Sequence, residues 1–179
     1  MKVCFIVFFT TALTAFAANP PIAIPRSSLK AYRSEGLFEG GKGQRANLES
    51  LRFAKHPGFE RWVVDFSDSK GHVAASAPQF QLQFIKSEKT LGLDGESTTR
   101  KPAKFIFLFR SIEKNFLDTR KLKALTGKSK HVKEIIVYPP IEQGDMAMEF
   151  VLKDDVLFEA HQPVEREGRL VLDLKSSPD

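Results

Sequence analysis

The sequence predicts an all-β domain, a β-sandwich of about eight short strands with one short helix. Three features carry that expectation. Apolar residues alternate with polar ones in runs of four to eight, turn residues separate the runs at short intervals, and a single segment has helical spacing with a cap.

The N-terminus reads as a leader rather than as part of the fold. Lys2 is followed by an apolar run to about Phe16 and then by Ala15-Phe16-Ala17, small residues suited to signal peptidase. Cleavage after Ala17 is expected. The run is shorter than the ~20 residues a membrane-spanning helix needs, so no transmembrane anchor is expected after cleavage. The sole cysteine, Cys4, lies in this leader. The mature chain is therefore expected to have no disulfide, no thiolate metal site and no cysteine nucleophile. Residues 18–47, with Pro20, Pro21, Pro25, Gly36, Gly40, Gly41 and Gly43, read as a flexible lead-in in which Leu37 and Phe38 can tuck against the domain. The domain itself is expected over 48–175, with 176–179 as a tail.

Leu51 and Phe53 begin the alternating pattern. Phe59 to Ser67 sets Trp62, Val64 and Phe66 on one face and Arg61, Val63 and Asp65 on the other, and Phe80, Leu82 and Phe84 alternate with Gln79, Gln81 and Gln83. Lys104 to Arg110 is apolar without alternation, which predicts a strand covered on both faces. Ser87 to Pro102 reads as a long polar loop. Asn115 to Leu125 is the helix candidate, with Asn115 as cap, Phe116, Leu122 and Leu125 as its stripe, and Gly127 as the stop. Strands are then expected over Glu134–Tyr138, Met146–Leu152, Val156–Ala160 and Arg169–Leu174, with Asp154-Asp155 as a two-residue hairpin turn and Gly168 opening the last strand.

Two of these strands share a pattern. Arg61-Trp62-Val63-Val64-Asp65-Phe66 and Arg169-Leu170-Val171-Leu172-Asp173-Leu174 both read Arg, apolar, Val, apolar, Asp, apolar, which suggests two similar halves. His56-Pro57-Gly58-Phe59-Glu60-Arg61, followed by Val63-Val64-Asp65-Phe66-Ser67, resembles the opening of AMIN and AMIN-like domains. Pro163 and Gly168 to Leu174 resemble their closing strand. The sequence departs from that pattern at Glu60, where the group has Asp. The resemblance implies a sandwich of two small sheets from the bacterial cell envelope that binds peptidoglycan and localises a partner, so an envelope protein complex is a further expected partner.

The chemistry points to binding. His56, His72, His131 and His161 are scattered singly, and neither a nucleophile motif nor a phosphate loop occurs, so no catalytic residue, cofactor or metal is expected. A net charge of +5, or +4 without Lys2, favours anionic partners. Export disfavours nucleic acid, which leaves cell-wall polymers, lipid head groups and acidic glycans. From Arg120 to Lys133 the chain is basic with no acid, and Glu142 to Glu159 is its acidic counterpart, a split that can make a bipolar surface. Lys121, Lys123, Lys128 and Lys130 are the candidate polymer contacts, and Tyr138 is the candidate exposed ring. Arg61, Asp65, Arg169 and Asp173 have two alternatives, a ligand-facing guanidinium fork or cross-strand ion pairs within the sheet. The function expected is that of a non-catalytic, exported envelope module, periplasmic or secreted, that binds peptidoglycan or a related anionic wall polymer and localises or scaffolds envelope machinery. A periplasmic carrier of an apolar ligand such as a lipid is the alternative.

Overall fold

The computed structural model describes residues 32–91, 98–140, 144–166 and 168–177. The leader and the start of the lead-in lie outside the described residues, as does Glu142 of the acidic stretch. Two five-stranded sheets pack face to face. The first runs β1 (Gly36–Gly40), β4 (Phe80–Ile85), β7 (Lys104–Phe109), β10 (Met146–Leu152), β9 (Val132–Val137). The second runs β11 (Val156–His161), β12 (Arg169–Ser176), β3 (Phe59–Ser67), β2 (Ala46–His56), β8 (Ile112–Asn115). A two-stranded hairpin, β5 (Glu88–Leu91) and β6 (Thr98–Lys101), stands apart, and α1 (Thr119–Lys128) is the one α-helix among the described residues. All pairings are antiparallel except β2 with β8.

Alternation builds the core between the sheets. Phe80, Leu82 and Phe84 of β4, Phe105, Phe107 and Phe109 of β7, and Met146, Met148, Phe150 and Leu152 of β10 are all buried from one side. Trp62, Val64 and Phe66 of β3 and Leu170, Leu172 and Leu174 of β12 meet them from the other. Rings bridge the sheets: Trp62 lies 5.2 Å from Phe150, Phe66 5.4 Å from Phe109, and Phe158 5.0 Å from Phe105. The phenylalanine-rich strands thus spend their surface on one another. Among the described residues, no helix is long and apolar enough to cross a membrane.

Several expectations need correction. The lead-in boundary at residue 47 is too late, because Gly36–Gly40 pairs with β4 and buries Phe38 to 2% exposure, completing the edge of the first sheet. Ser87 to Pro102 contains the β5–β6 hairpin rather than being loop throughout. The strand β7 is not covered on both faces: Ile106 is half-buried and Leu108 is 42% exposed, pointing away from the core. Asp154-Asp155 is no hairpin turn, since β10 and β11 belong to different sheets and these residues carry the chain from one to the other. The helix begins four residues later than expected. Asn115 ends β8 and accepts from Leu117 N–H in a local turn, leaving Asp118 to cap α1 by accepting from Arg120 N–H at 2.8 Å. Helix α1 passes through Gly127 and stops at Ser129, while Phe116 stays outside it and exposed.

Candidate functional site

The two Arg-apolar-Val-apolar-Asp strands pair with each other. In antiparallel register Arg61 stands opposite Asp173, Val63 opposite Val171, and Asp65 opposite Arg169. A strand with Arg and Asp four residues apart is self-complementary when turned end for end, so the repeat writes two reciprocal ion pairs into one ladder. Arg61 forms a two-pronged contact with Asp173, Nε to Oδ1 and Nη2 to Oδ2 both at 2.7 Å. Arg169 Nε lies 2.7 Å from Asp65 Oδ1 without hydrogen-bond alignment, and Arg52 binds the same carboxylate through Nε at 2.5 Å and Nη2 at 2.9 Å. These four residues therefore form cross-strand ion pairs, with both guanidinium groups turned to the sheet's own carboxylates and only that of Arg61 making a fork.

Burial works to raise the Asp65 carboxyl, but hydrogen bonds from Arg52 and Ser50 and the charges of Arg52 and Arg169 outweigh it and hold the pKa below the usual range. A folded-state value below the unfolded one adds stability that is present above about pH 4 and is lost as pH falls through the folded value. Asp65→Asn should accordingly show a shallower loss of urea midpoint than the unaltered protein between about pH 5 and pH 2. Parallel acid limbs in the two proteins would contradict this assignment.

The basic run does not form one patch. Lys121 and Lys128, seven residues apart, share the solvent side of α1, whereas Lys123 lines a groove between the helix and β9. Lys130 lies beyond the helix, its Nζ held by Ser176 Oγ at 3.0 Å. Nor do the described residues form an acidic pole. Glu149 pairs with Lys104, Asp145 with Arg110, and Asp154 and Asp155 sit beside Lys130. Tyr138 is 38% exposed, at the far end of β9 and roughly 20 Å along the strand from His131.

The structure instead gathers a charged trough at the end of the sandwich where β2 turns into β3. Pro57 and Gly58 make that turn, with Gly58 at φ +85° after a proline, the combination a type II turn requires. Two adjoining cavities open there, of about 310 and 600 Å³, and share Lys130, His131 and Ser176. Lys55, His56 and Phe59 border the first; Arg100, Asp154 and Asp155 border the second.

The floor of the trough is set by Glu60, only 5% exposed. Its carboxylate accepts from Ser129 Oγ at 2.6 Å and Lys130 N–H at 2.5 Å, and from His131 N–H at 3.3 Å, a donor shared with Ser129 Oγ at 3.1 Å. Ser129 Oγ also accepts from Val132 N–H at 2.8 Å, and Lys153 Nζ donates to Ser129 O at 2.7 Å. A buried charge on β3 thus fixes the segment that follows α1. His131 is held below its ordinary pKa by burial, with Glu60 opposing, so its ring is neutral near pH 7. Burial also pushes Asp155 up, but Ser87 N–H and Oγ, at 2.9 and 2.7 Å, more than compensate and keep its pKa low. With Glu60 enclosed and Asp155 held by Ser87, Asp154 is the one exposed carboxylate bordering the trough among the described residues, against exposed Lys55, Arg100 and Lys130.

Of the candidate binding residues read from the sequence, Lys130 alone lines this trough. Lys55, Arg100 and Glu60 were missed as site residues because no local motif joins them to the segment after α1, and His131 was set aside as one of four scattered histidines; Glu60 was noted as a departure from the AMIN pattern. No group of three or more His, Cys, Asp or Glu that could hold a metal occurs among the described residues. No protein-family model matches the chain, and no curated protein matches it. The AMIN resemblance therefore rests on the quoted residues at the two ends of the domain.

Proposed function

We propose that this domain is a non-catalytic binding module of the cell envelope, exported by its leader, which takes hold of a charged wall polymer through the trough around Lys130. One observation carries the reading: two adjoining polar cavities share Lys130, His131 and Ser176, with Lys55 and Arg100 presented beside a segment locked by Glu60. Peptidoglycan suits that chemistry, because its stem peptides bear free carboxylates for the three cations and amino groups for Asp154. The AMIN-like opening and closing strands support the same polymer and a role in localising envelope machinery.

Exposed charge pairs contribute about 0.2–1 kcal/mol each, so one trough binds weakly. A polymer with repeated epitopes compensates through effective concentration, and a weak, renewable grip suits a module that localises without immobilising. Replacing Lys55, Arg100 and Lys130 together with glutamine should cut sedimentation with purified sacculi at least fivefold at low salt. The difference should narrow as salt shortens the screening length to about 8–10 Å. Equal sedimentation of the variant and the unaltered protein at low salt would refute the reading, whereas glutamine at Lys121 and Lys128 should change little.

A further inference from the structure

Strand β9 is an edge whose free side faces a helix. Its pairing with β10 places Val137 opposite Met148 and Ile135 opposite Phe150, and Tyr138 N–H donates to Ala147 O at 3.0 Å. In an antiparallel ladder the residues that bond to the partner strand alternate with those that do not. Tyr138 bonds to β10, so Ile136 and Glu134 do as well, and the backbone N–H and C=O groups of Ile135 and Val137 point the other way. No strand pairs with that side among the described residues.

What lies there is a groove of about 390 Å³, walled by Leu122, Lys123 and Thr126 of α1 and by Lys133, Ile135 and Val137 of β9. An edge strand left open is ordinarily a hazard, and proteins blunt it with charge or cover it. Here α1 stands beside the edge, and Leu122 is buried while Leu125 packs against the core, so the groove has an apolar floor. Its rim is basic: Lys123 and Lys133 line it and α1 holds no acid, leaving Glu134 as the one carboxylate lining it among the described residues.

We propose that this groove takes an extended, acidic segment of a partner protein, which adds to the first sheet as a strand beside β9. Only extended backbone supplies donors and acceptors at the spacing that Ile135 and Val137 present, and acidic side chains on that segment would meet Lys123 and Lys133. Main-chain bonding supplies affinity, and alternation of apolar and acidic side chains supplies selectivity. The site is separate from the Lys130 trough and does not depend on its occupancy.

The probe is an acetylated decapeptide of alternating valine and glutamate, added to the ¹⁵N-labelled domain. Amide exchange at Ile135 and Val137 should be fast in the free domain, unlike that of Ile136, and should slow at least tenfold with saturating peptide. Val137→Pro removes a donor on the free side and leaves the Tyr138–Ala147 bond intact, so it should fold and bind the peptide at least tenfold more weakly. Charge reversal at Lys123 and Lys133 should weaken binding by a similar factor. Unchanged exchange at Ile135 and Val137 on peptide addition would overturn the proposal even if the proline variant did not fold. Undiminished binding by a folded Val137→Pro would overturn it as well.

Discussion

Arg61→Ala should lower the unfolding free energy by about 2–3 kcal/mol, because truncation strands a buried charge whose fork is lost. Asp173 is 3% exposed, and both of its oxygens bond to Arg61. Breaking a fully buried pair costs about 3–5 kcal/mol, but the Arg61 side chain is 36% exposed, so its removal admits water and moderates the loss. Arg169→Ala should cost less, about 1 kcal/mol, since Asp65 keeps Arg52 and Ser50. Arg61→Lys should recover only part of the loss, as an ammonium cannot reproduce the two parallel bonds. Urea denaturation of the three variants checks the order. Equal losses for Arg61→Ala and Arg169→Ala would mean that the two motif copies are not distinguished by their surroundings.

Glu60→Ala should be the more damaging change, at about 3 kcal/mol, because it strands donors that the fold holds away from water. Ser129 Oγ–H, Lys130 N–H and His131 N–H all converge on the carboxylate, and Ser129 and His131 are themselves buried. For a chain of this size the thermal midpoint should fall by roughly 6–12 °C. Binding should fail with it, since Lys130 loses the anchor that positions it. Glu60→Gln retains an oxygen acceptor but offers an amide donor where donors already crowd, so it should sit between Glu60→Ala and the unaltered protein. An unchanged midpoint in Glu60→Ala would show that the segment after α1 is held by Lys153 and Ser129 without the carboxylate.

How much of this was legible follows from the range over which each feature is encoded. Strand β10 begins at Met146 and ends at Leu152, as its alternation predicts, because each inward residue finds the core within its own strand. The sandwich class was readable for the same reason. Phe38 escaped the pattern because glycines flank its strand and dilute the periodicity, and β7 misled because Ile106 and Leu108 are apolar yet face outward. The Arg and Asp repeat was visible as a repeat, but whether its charges faced each other or a ligand depended on strand order, which composition does not set. The trough was the least legible feature. Lys55 and Ser176 at strand ends of the second sheet meet Arg100 of the β5–β6 hairpin and Lys130 of the segment after α1, and nothing in the spacing of any pair signals that meeting. Glu60 gave one signal, an acid on the inward side of its strand, flanked by Phe59 and Arg61. Such a residue must find donors on a neighbouring element.

Location of the polymer on the domain is best read from an amide chemical-shift titration with soluble, disaccharide-linked stem peptides released from sacculi. Binding in the trough should shift the amides of Lys55, His56, Phe59, Lys130, His131 and Ser176 along saturable curves, and salt should weaken the curves without moving their end points. Saturable shifts confined to the outer faces of the sheets, with those six amides unmoved, would contradict the assignment of the trough as the binding site.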